Sequence, residues 1–319
     1  MRESFERLRQ SGLLADRIVY GILWIGHVLL ASERRRRIRA LFFKVTRHRP
    51  SFCRRVTEWG LNKTPRSPRV IVSLTSYPKR IGTVHRTIET LLTQDFKPDM
   101  VVLWLGEDKF PNKEANLPRS LLRLKEYGLT IGWCKDLRSY TKLVPSLRAY
   151  PDDIIVTADD DMFFRPEWLG RLYRSYEQYG NFIHCHLVRR VEFDCGSFRP
   201  YVEWKSGRAG EHASLRNLLL GYGGVLYPPH ALYPDVVKAS RFLGLAPSAD
   251  DLWFWAMAVL NGTKIYMIRD AFETPIGDCA ADNTQALLVT NVNGEKNDVQ
   301  LRAILAAYPQ LATCLQQAG

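Results

Sequence analysis

The sequence predicts an α/β domain with a mainly parallel sheet flanked by helices, preceded by a helical, basic N-terminal extension. Three observations lead there. Between residues 69 and 157, short apolar runs rich in β-branched residues alternate with stretches of helical spacing, the pattern of strand–helix–strand crossovers. The runs close on residues that favour turns. The charge is also split: residues 1–69 carry 17 Lys/Arg against 5 Asp/Glu, whereas residues 70–319 carry 28 of each. The whole excess of +12 belongs to the first segment, and the main domain is electrically balanced.

The elements follow in order. Residues 69–75 (RVIVSLT) form the first strand, ended by Ser76, Tyr77 and Pro78. Ile81, Val84, Ile88, Leu91 and Leu92 recur at helical spacing within 81–95. Residues 100–105 make a second strand, closed by Gly106, Glu107 and Asp108. A helix over 117–127 ends at Gly128; strand 129–133, helix 140–150 and strand 153–157 come next. Right-handed crossovers make these strands parallel, and such sheets bind ligands beyond the carboxyl ends of their strands. The later half is less regular, with strands over 181–188, 224–227 and 263–268. Helices are expected over 248–261, opened by Ser248, Asp250 and Asp251, and over 299–308.

An apolar fraction of 46% and a charged fraction of 24% are those of a globular chain. The six cysteines show no CxxC pair and read as reduced thiols. Residues 18–31 (IVYGILWIGHVLLA) number fourteen and stop at an arginine run, short of the roughly 20 needed to span a bilayer. From Glu33 to Arg55 there are ten Lys/Arg and one acid, interleaved with Ile38, Leu41, Phe42, Phe43, Val45 and Phe52. That mixture suits an anionic membrane surface, with a basic helix packed on the main domain as the plainer alternative. Thr64–Pro68 (TPRSP) reads as the linker into the main domain. The expected division is a membrane-associating segment 1–66 and a main domain 67–319, at the cytoplasmic face. Because residues 70–319 are neutral, nucleic acid is not an expected partner.

The fourth strand runs into Asp159, Asp160 and Asp161 and resumes as Met162-Phe163-Phe164. Three carboxylates within about 10 Å of extended chain repel one another unless a cation sits among them. Either the triplet is a solvated turn, or it holds a hard divalent ion such as Mg²⁺ or Mn²⁺, which takes carboxylates together with substrate phosphates. The position at a strand's carboxyl end favours the ion. A second acid pair, Asp250-Asp251, opens a helix, ordinarily an N-terminal cap. His184 and His186 share a strand face, but nothing nearby completes a zinc site.

Residues 70–80, 140–147, 154–164, 221–229 and 249–254, in that order, resemble nucleotide-sugar glycosyltransferases of the GT-A (Rossmann-like) fold. The likeness is closest to bacterial family-2-like enzymes of surface polysaccharide and lipopolysaccharide synthesis, and it covers roughly 68–310. It implies a metal-dependent transfer of sugar from a nucleoside diphosphate to a glycan or lipid-linked hydroxyl, with inversion, using Mn²⁺ or Mg²⁺. Asp159-Asp160-Asp161 matches the family's DxD motif. By resemblance, Asp161 binds the metal–diphosphate, Asp159 lies near the ribose or the metal, and Asp160 belongs to the same donor-binding group. Thr75, Ser76 and Tyr77 match the start of the nucleotide pocket, and Asp108, with Glu107, a position that contacts the base. Lys142 resembles a lysine that counters phosphate charge, or is a surface lysine on its helix. Asp251, with Asp250 as second choice, matches the carboxylate that takes the acceptor's proton; Asp161 and Asp251 are 90 residues apart. Trp253 and Trp255 either bound a sugar pocket or pack in the core. Gly223 and Gly224 either admit a sugar or simply turn the chain. A late histidine ligand found in many relatives is absent after His230, leaving Asn297, Asp298 or water for that role. The rival readings are a retaining transferase and a non-catalytic glycan-binding protein of the same fold.

Overall fold

A computed structural model describes residues 58–271, 276–277 and 296–317. Of the expected membrane-associating segment 1–66, residues 1–57 lie outside the described residues.

The strands in chain order are β1 Val70–Thr75, β2 Met100–Gly106, β3 Leu129–Cys134, β4 Ile154–Thr157, β5 Met162–Phe163, β6 Ile183–Cys185, β7 Val188–Arg190, β8 Phe193–Asp194, β9 Ser197–Phe198, β10 Asn217–Leu219, β11 Val225–Tyr227, β12 Ile265–Met267 and β13 Ile276–Gly277. The helices are α1 Val84–Leu92, α2 Arg119–Leu122, α3 Val144–Ala149, α4 Trp168–Tyr179, α5 Ala239–Leu245, α6 Asp250–Leu260, α7 Lys296–Ala307 and α8 Gln310–Gln317. Seven strands form the central sheet in the order β12-β6-β11-β4-β1-β2-β3. All neighbours are parallel except β11, which runs antiparallel to both β4 and β6. The α/β class with a mainly parallel sheet is thus the observed one.

The period-2 geometry of strands sorts their side chains into two cores. Ile71, Val102, Ile155, Val225 and Tyr227 face the layer that contains α6, whereas Val70, Val72, Val101, Ile154, Val156 and Leu226 face α1 and α4. A strand covered on both faces must be apolar throughout, and β4, at the sheet's centre, is buried at every residue. α6 is apolar on all sides from Leu252 to Val259, as a helix enclosed on every side has to be. Trp253 and Trp255 have no exposed surface. Their indole N–H groups donate to the carbonyls of Val236 (3.3 Å) and Leu215 (2.8 Å). Both tryptophans are therefore core, not walls of a sugar pocket.

Several elements differ from expectation for local reasons. The helix expected over 140–150 is a 3₁₀ turn, Arg138–Lys142, followed by α3, because Pro145 fits only a first helical turn. The helix expected over 117–127 is α2 plus a 3₁₀ turn ending at Gly128, φ +102°. The single strand expected over 181–188 is two: the chain leaves the main sheet after Cys185 and pairs β7 with β10 in a separate ladder. Thr64–Pro68 is not a loose tether, since Arg66 pairs with Asp99 at 3.2 Å and lies over the Phe96 ring at 4.3 Å. His184 and His186 are buried against α4, where Ser175 Oγ and the carbonyls of Gly180 and Trp168 satisfy their ring nitrogens. Burial holds them neutral, at about 4 and about 3. The four described cysteines, Cys134, Cys185, Cys195 and Cys314, are free.

Candidate active site

Two strand ends and one helix start meet beyond the sheet. β1 delivers Ser76 and the turn to Arg80, β4 delivers Asp159–Asp161, and α6 opens with Asp250-Asp251. The Tyr77 carbonyl accepts from the amides of Arg80 (2.9 Å) and Ile81 (3.0 Å), and this turn directs Arg80 at the aspartates. Arg80 Nη1 stands 2.6 Å from Asp160 Oδ1 and 3.1 Å from Asp161 Oδ2. Asp160 also accepts from Ser76 Oγ at 2.6 Å, and its carbonyl accepts from Thr87 Oγ1 at 2.9 Å. The middle aspartate is buried, and Ser76 and Arg80 engage both of its carboxylate oxygens.

Lys142 joins the two acid groups. Ser73 Oγ donates to the Lys142 carbonyl (2.6 Å) and contacts Ser146 Oγ (2.7 Å), so that β1 fixes the 3₁₀ turn. From there Nζ reaches Asp159 Oδ1 at 2.8 Å and Asp250 Oδ2 at 3.0 Å, with 9% of the side chain exposed. This is no surface lysine. Its charge serves these carboxylates, which hold it protonated: burial alone would lower its pKa, but Asp159, Asp250 and Asp251 outweigh that and raise it.

Asp251 is held from the other side. The Gly221 amide donates to Asp251 Oδ2 at 3.1 Å, and a β-carbon at Gly221 would come within 2.7 Å of Oδ1 and 3.0 Å of Lys142 Nζ. Only glycine allows that approach. Gly224, at φ +92°, would meet the Trp168 indole at 2.3 Å, so its need is packing on α4. Of the expected sugar-admitting glycines, neither Gly223, packed on Leu187, nor Gly224 touches the acids.

Asp159, Asp160, Asp161, Asp250 and Asp251 are five carboxylates against Arg80 and Lys142. The imbalance shows in protonation. Burial, then Asp159, pushes Asp161 up to about 6 despite Arg80. Burial, then Asp250, pushes Asp251 up to about 7, with Lys142 and the Gly221 amide working against it. A further cation would relieve this excess. Among the described residues, no three His, Cys, Asp or Glu side chains converge to hold an ion by themselves. Asp161 and Asp159 keep 20% and 28% of their side chains exposed. The residues fit an ion of the Mg²⁺ or Mn²⁺ kind that takes one or two carboxylates and completes its shell with phosphate and water.

The other expected site residues fall into two groups. Ser76 joins the cluster through Asp160, and Tyr77 lies beside it, its ring 5.6 Å from the Arg80 guanidinium. Thr75 donates to the Trp104 carbonyl at 2.9 Å and serves the sheet. Asp108 is exposed and pairs with Lys109 at 3.4 Å, because the turn after Gly106 carries it into solvent. Asp298 accepts from the Tyr201 amide at 2.8 Å and Asn297 is buried, so both have structural positions in α7. Arg80 and Gly221 are the residues that sequence reasoning passed over. The demand of three adjacent carboxylates for a nearby cation points to Arg80, but the signal for Gly221 lies only in three dimensions.

Fold and site together define an α/β, Rossmann-like protein with an acidic cluster beyond the carboxyl ends of its central strands. No protein-family profile matches the chain, and no curated protein does. Among solved structures it is similar to the mannosyltransferase PcManGT from Pyrobaculum calidifontis in complex with GDP-Man and Mn²⁺. There the TM-score is 0.46 at 15% identity, over 88% of this chain and 81% of that one. It is also similar to CMP:2-keto-3-deoxy-manno-octonic acid synthetase complexed with CTP (0.40, 12% identity, 72% and 99% of the two chains). A cytidylyltransferase from Leptospira borgpetersenii serovar Hardjo-bovis (strain JB197) follows, at 0.37 and 12% identity over 76% and 95%. These likenesses are distant, and the chemistry proposed for this chain stands on its own residues.

Proposed function

We propose that this chain is a metal-dependent glycosyltransferase that moves a sugar from a nucleoside-diphosphate donor to a hydroxyl of a glycan or glycolipid, with inversion. One observation carries the reading: Lys142 ties the aspartate triplet after β4 to the acid pair opening α6, so that both acid groups belong to one cluster. The GT-A resemblance of the motifs that hold these residues agrees with it.

Asp161 and Asp159 would hold Mn²⁺ or Mg²⁺, whose chemistry there would be to neutralise charge on the departing diphosphate oxygen. The protein does the rest. Ser76 and Arg80 hold the triplet through the Asp160 carboxylate, and Thr87 holds its backbone carbonyl. Arg80, already beside Asp161, sits where phosphate oxygens would come. Asp251 takes the acceptor hydroxyl's proton as that oxygen attacks the anomeric carbon; a base poised near neutrality suits the task. Gly221 fixes its orientation, and Lys142 fixes Asp250 beside it.

The basic residues of segment 1–66 would bring the enzyme to a membrane surface at the cytoplasmic face, where a lipid-linked acceptor resides. Among the described residues no helix is long and apolar enough to cross a membrane. The test is nucleoside-diphosphate release from a panel of nucleotide sugars with Mn²⁺, Mg²⁺ or EDTA. Metal-dependent release from one donor supports the reading. A chain that neither releases nor binds any nucleotide with Mn²⁺ would instead be a glycan-binding protein of this fold.

A further inference from the structure

The excursion between β6 and β11 serves none of the donor chemistry, yet it returns to the base. β7 and β10 pair antiparallel, with Arg189 opposite Leu218, and β10 leads within two residues to Gly221, whose amide holds Asp251. The next residue, Tyr222, is 44% exposed, a rare state for a large ring among the described residues. Tyr201 closes the group: its amide is fixed by Asp298 at 2.8 Å, and its ring lies 5.0 Å from the Arg189 guanidinium.

Arg189 is unlike the cations of the donor side. Arg80 and Lys142 each face two carboxylates. Arg189 is half-buried and donates to the Trp204 carbonyl at 3.3 Å, and among the described residues it forms no ion pair with a carboxylate. The ladder joins the two ends of this group: the Leu220 amide donates to the Leu187 carbonyl at 3.0 Å, two residues before Arg189 and one before Gly221. The Tyr201 hydroxyl is raised to about 12 and that of Tyr222 is raised too, by burial first, with Arg189 opposing and Asp251 adding in both.

We infer that Arg189, Tyr201 and Tyr222 form an acceptor subsite beside Asp251, built for a sugar that carries an anionic group close to its attacking hydroxyl. The inference rests on Asp251 being the base. An exposed tyrosine ring offers a flat apolar surface with a polar edge, as the face of a sugar requires. A guanidinium without a carboxylate partner offers a planar fork for carboxylate or phosphate. Without it, an anionic acceptor approaching five carboxylates would be repelled; a neutral acceptor would leave the guanidinium unused.

The experiment titrates the full chain, in EDTA, with glucose 1-phosphate, glucuronate and methyl glucoside, observed by saturation-transfer NMR. Either anionic sugar should bind at least tenfold more tightly than methyl glucoside. A preference for glucose 1-phosphate identifies phosphate as the anion, and a preference for glucuronate identifies a uronic acid. Arg189→Gln should abolish the preference and Arg189→Lys should keep part of it, while Tyr222→Ala should weaken all three probes severalfold. Tyr222 is exposed, so its variant serves even if Arg189→Gln does not fold. Equal binding of neutral and anionic sugars, no binding of either anion at millimolar concentration, or a preference surviving in a folded Arg189→Gln variant would overturn the inference. Asp251→Asn separates it from the base assignment. That variant should keep the preference for the anionic sugar and lose transfer; normal transfer by it would refute the base and leave the binding result standing.

Discussion

The Gly221 amide and the Asp251 carboxylate form a contact that tolerates no side chain: the hydrogen bond to Oδ2 is 3.1 Å, and an added β-carbon would stand 2.7 Å from Oδ1. Gly221 has no positive φ, so alanine there strains no backbone; its β-carbon would press on Asp251 and, at 3.0 Å, on Lys142 Nζ. Gly221→Ala should lower the turnover of transfer at least tenfold. The thermal shift produced by nucleotide with Mn²⁺ should fall far less than turnover does. Equal loss of donor binding would show that the contact serves the whole cluster and not the base.

Lys142 supplies the second expectation. Removing one partner of a buried ion pair leaves charge uncompensated and costs about 3–5 kcal/mol, and here two carboxylates lose their partner. Lys142→Met should lose stability on that scale in denaturant unfolding. Adding Asp250→Asn should restore part of it. A Lys142→Met protein as stable as wild type would mean that the carboxylates find another cation.

Much of this geometry is only half legible in the sequence. The runs at residues 70–75, 100–105 and 154–157 announce strands because both faces of a central parallel strand must be apolar. The aspartates after Thr157 announce a site because ligands gather at strand ends. Nothing local marks Val225–Tyr227 as the one antiparallel strand of the sheet, since direction is set by the long excursion before it. Nor does alternation tell that Asp160 turns inward; its partners Ser76 and Arg80 are more than 75 residues away. Lys142 reads either as a lysine that counters phosphate charge or as a surface residue of a regular helix, and only the break before α3 brings it among the acids. The apolar run of α6 suggests a helix but not its enclosure, which comes from Phe242 and Tyr308 against Trp253 and from Phe198 against Trp255.

The pH dependence of transfer follows from Asp251. A base that holds its proton up to about 7 is inactive below that value and active above it. The acid limb of kcat/KM should therefore fall near 7, far above an ordinary carboxylate. Asp250 is, after burial, the largest cause of that shift, so Asp250→Asn should move the limb to lower pH. An acid limb near 4 in the wild-type protein would remove Asp251 from the role.

Protein stability should vary with pH in a related way. Asp161 (about 6) and Asp251 (about 7) bind protons more tightly folded than unfolded. Their contribution is complete below the unfolded value near 4 and is lost as pH rises through 6 to 7. In EDTA the melting temperature should fall between pH 5 and 8, and Mn²⁺ should reduce the fall by replacing the proton at Asp161. A profile rising over that interval, or one indifferent to Mn²⁺, would argue against an ion there.

The most direct measurement compares nucleoside-diphosphate release by the wild-type protein and by Asp161→Asn, both with Mn²⁺ and with the donor that the wild type accepts. The expected result is metal-dependent release by the wild type and loss of at least a thousandfold in a variant that melts no lower than its parent. Substantial release by folded Asp161→Asn, or undiminished wild-type release in EDTA, would contradict the account of the aspartate triplet as the seat of a cation on a departing diphosphate.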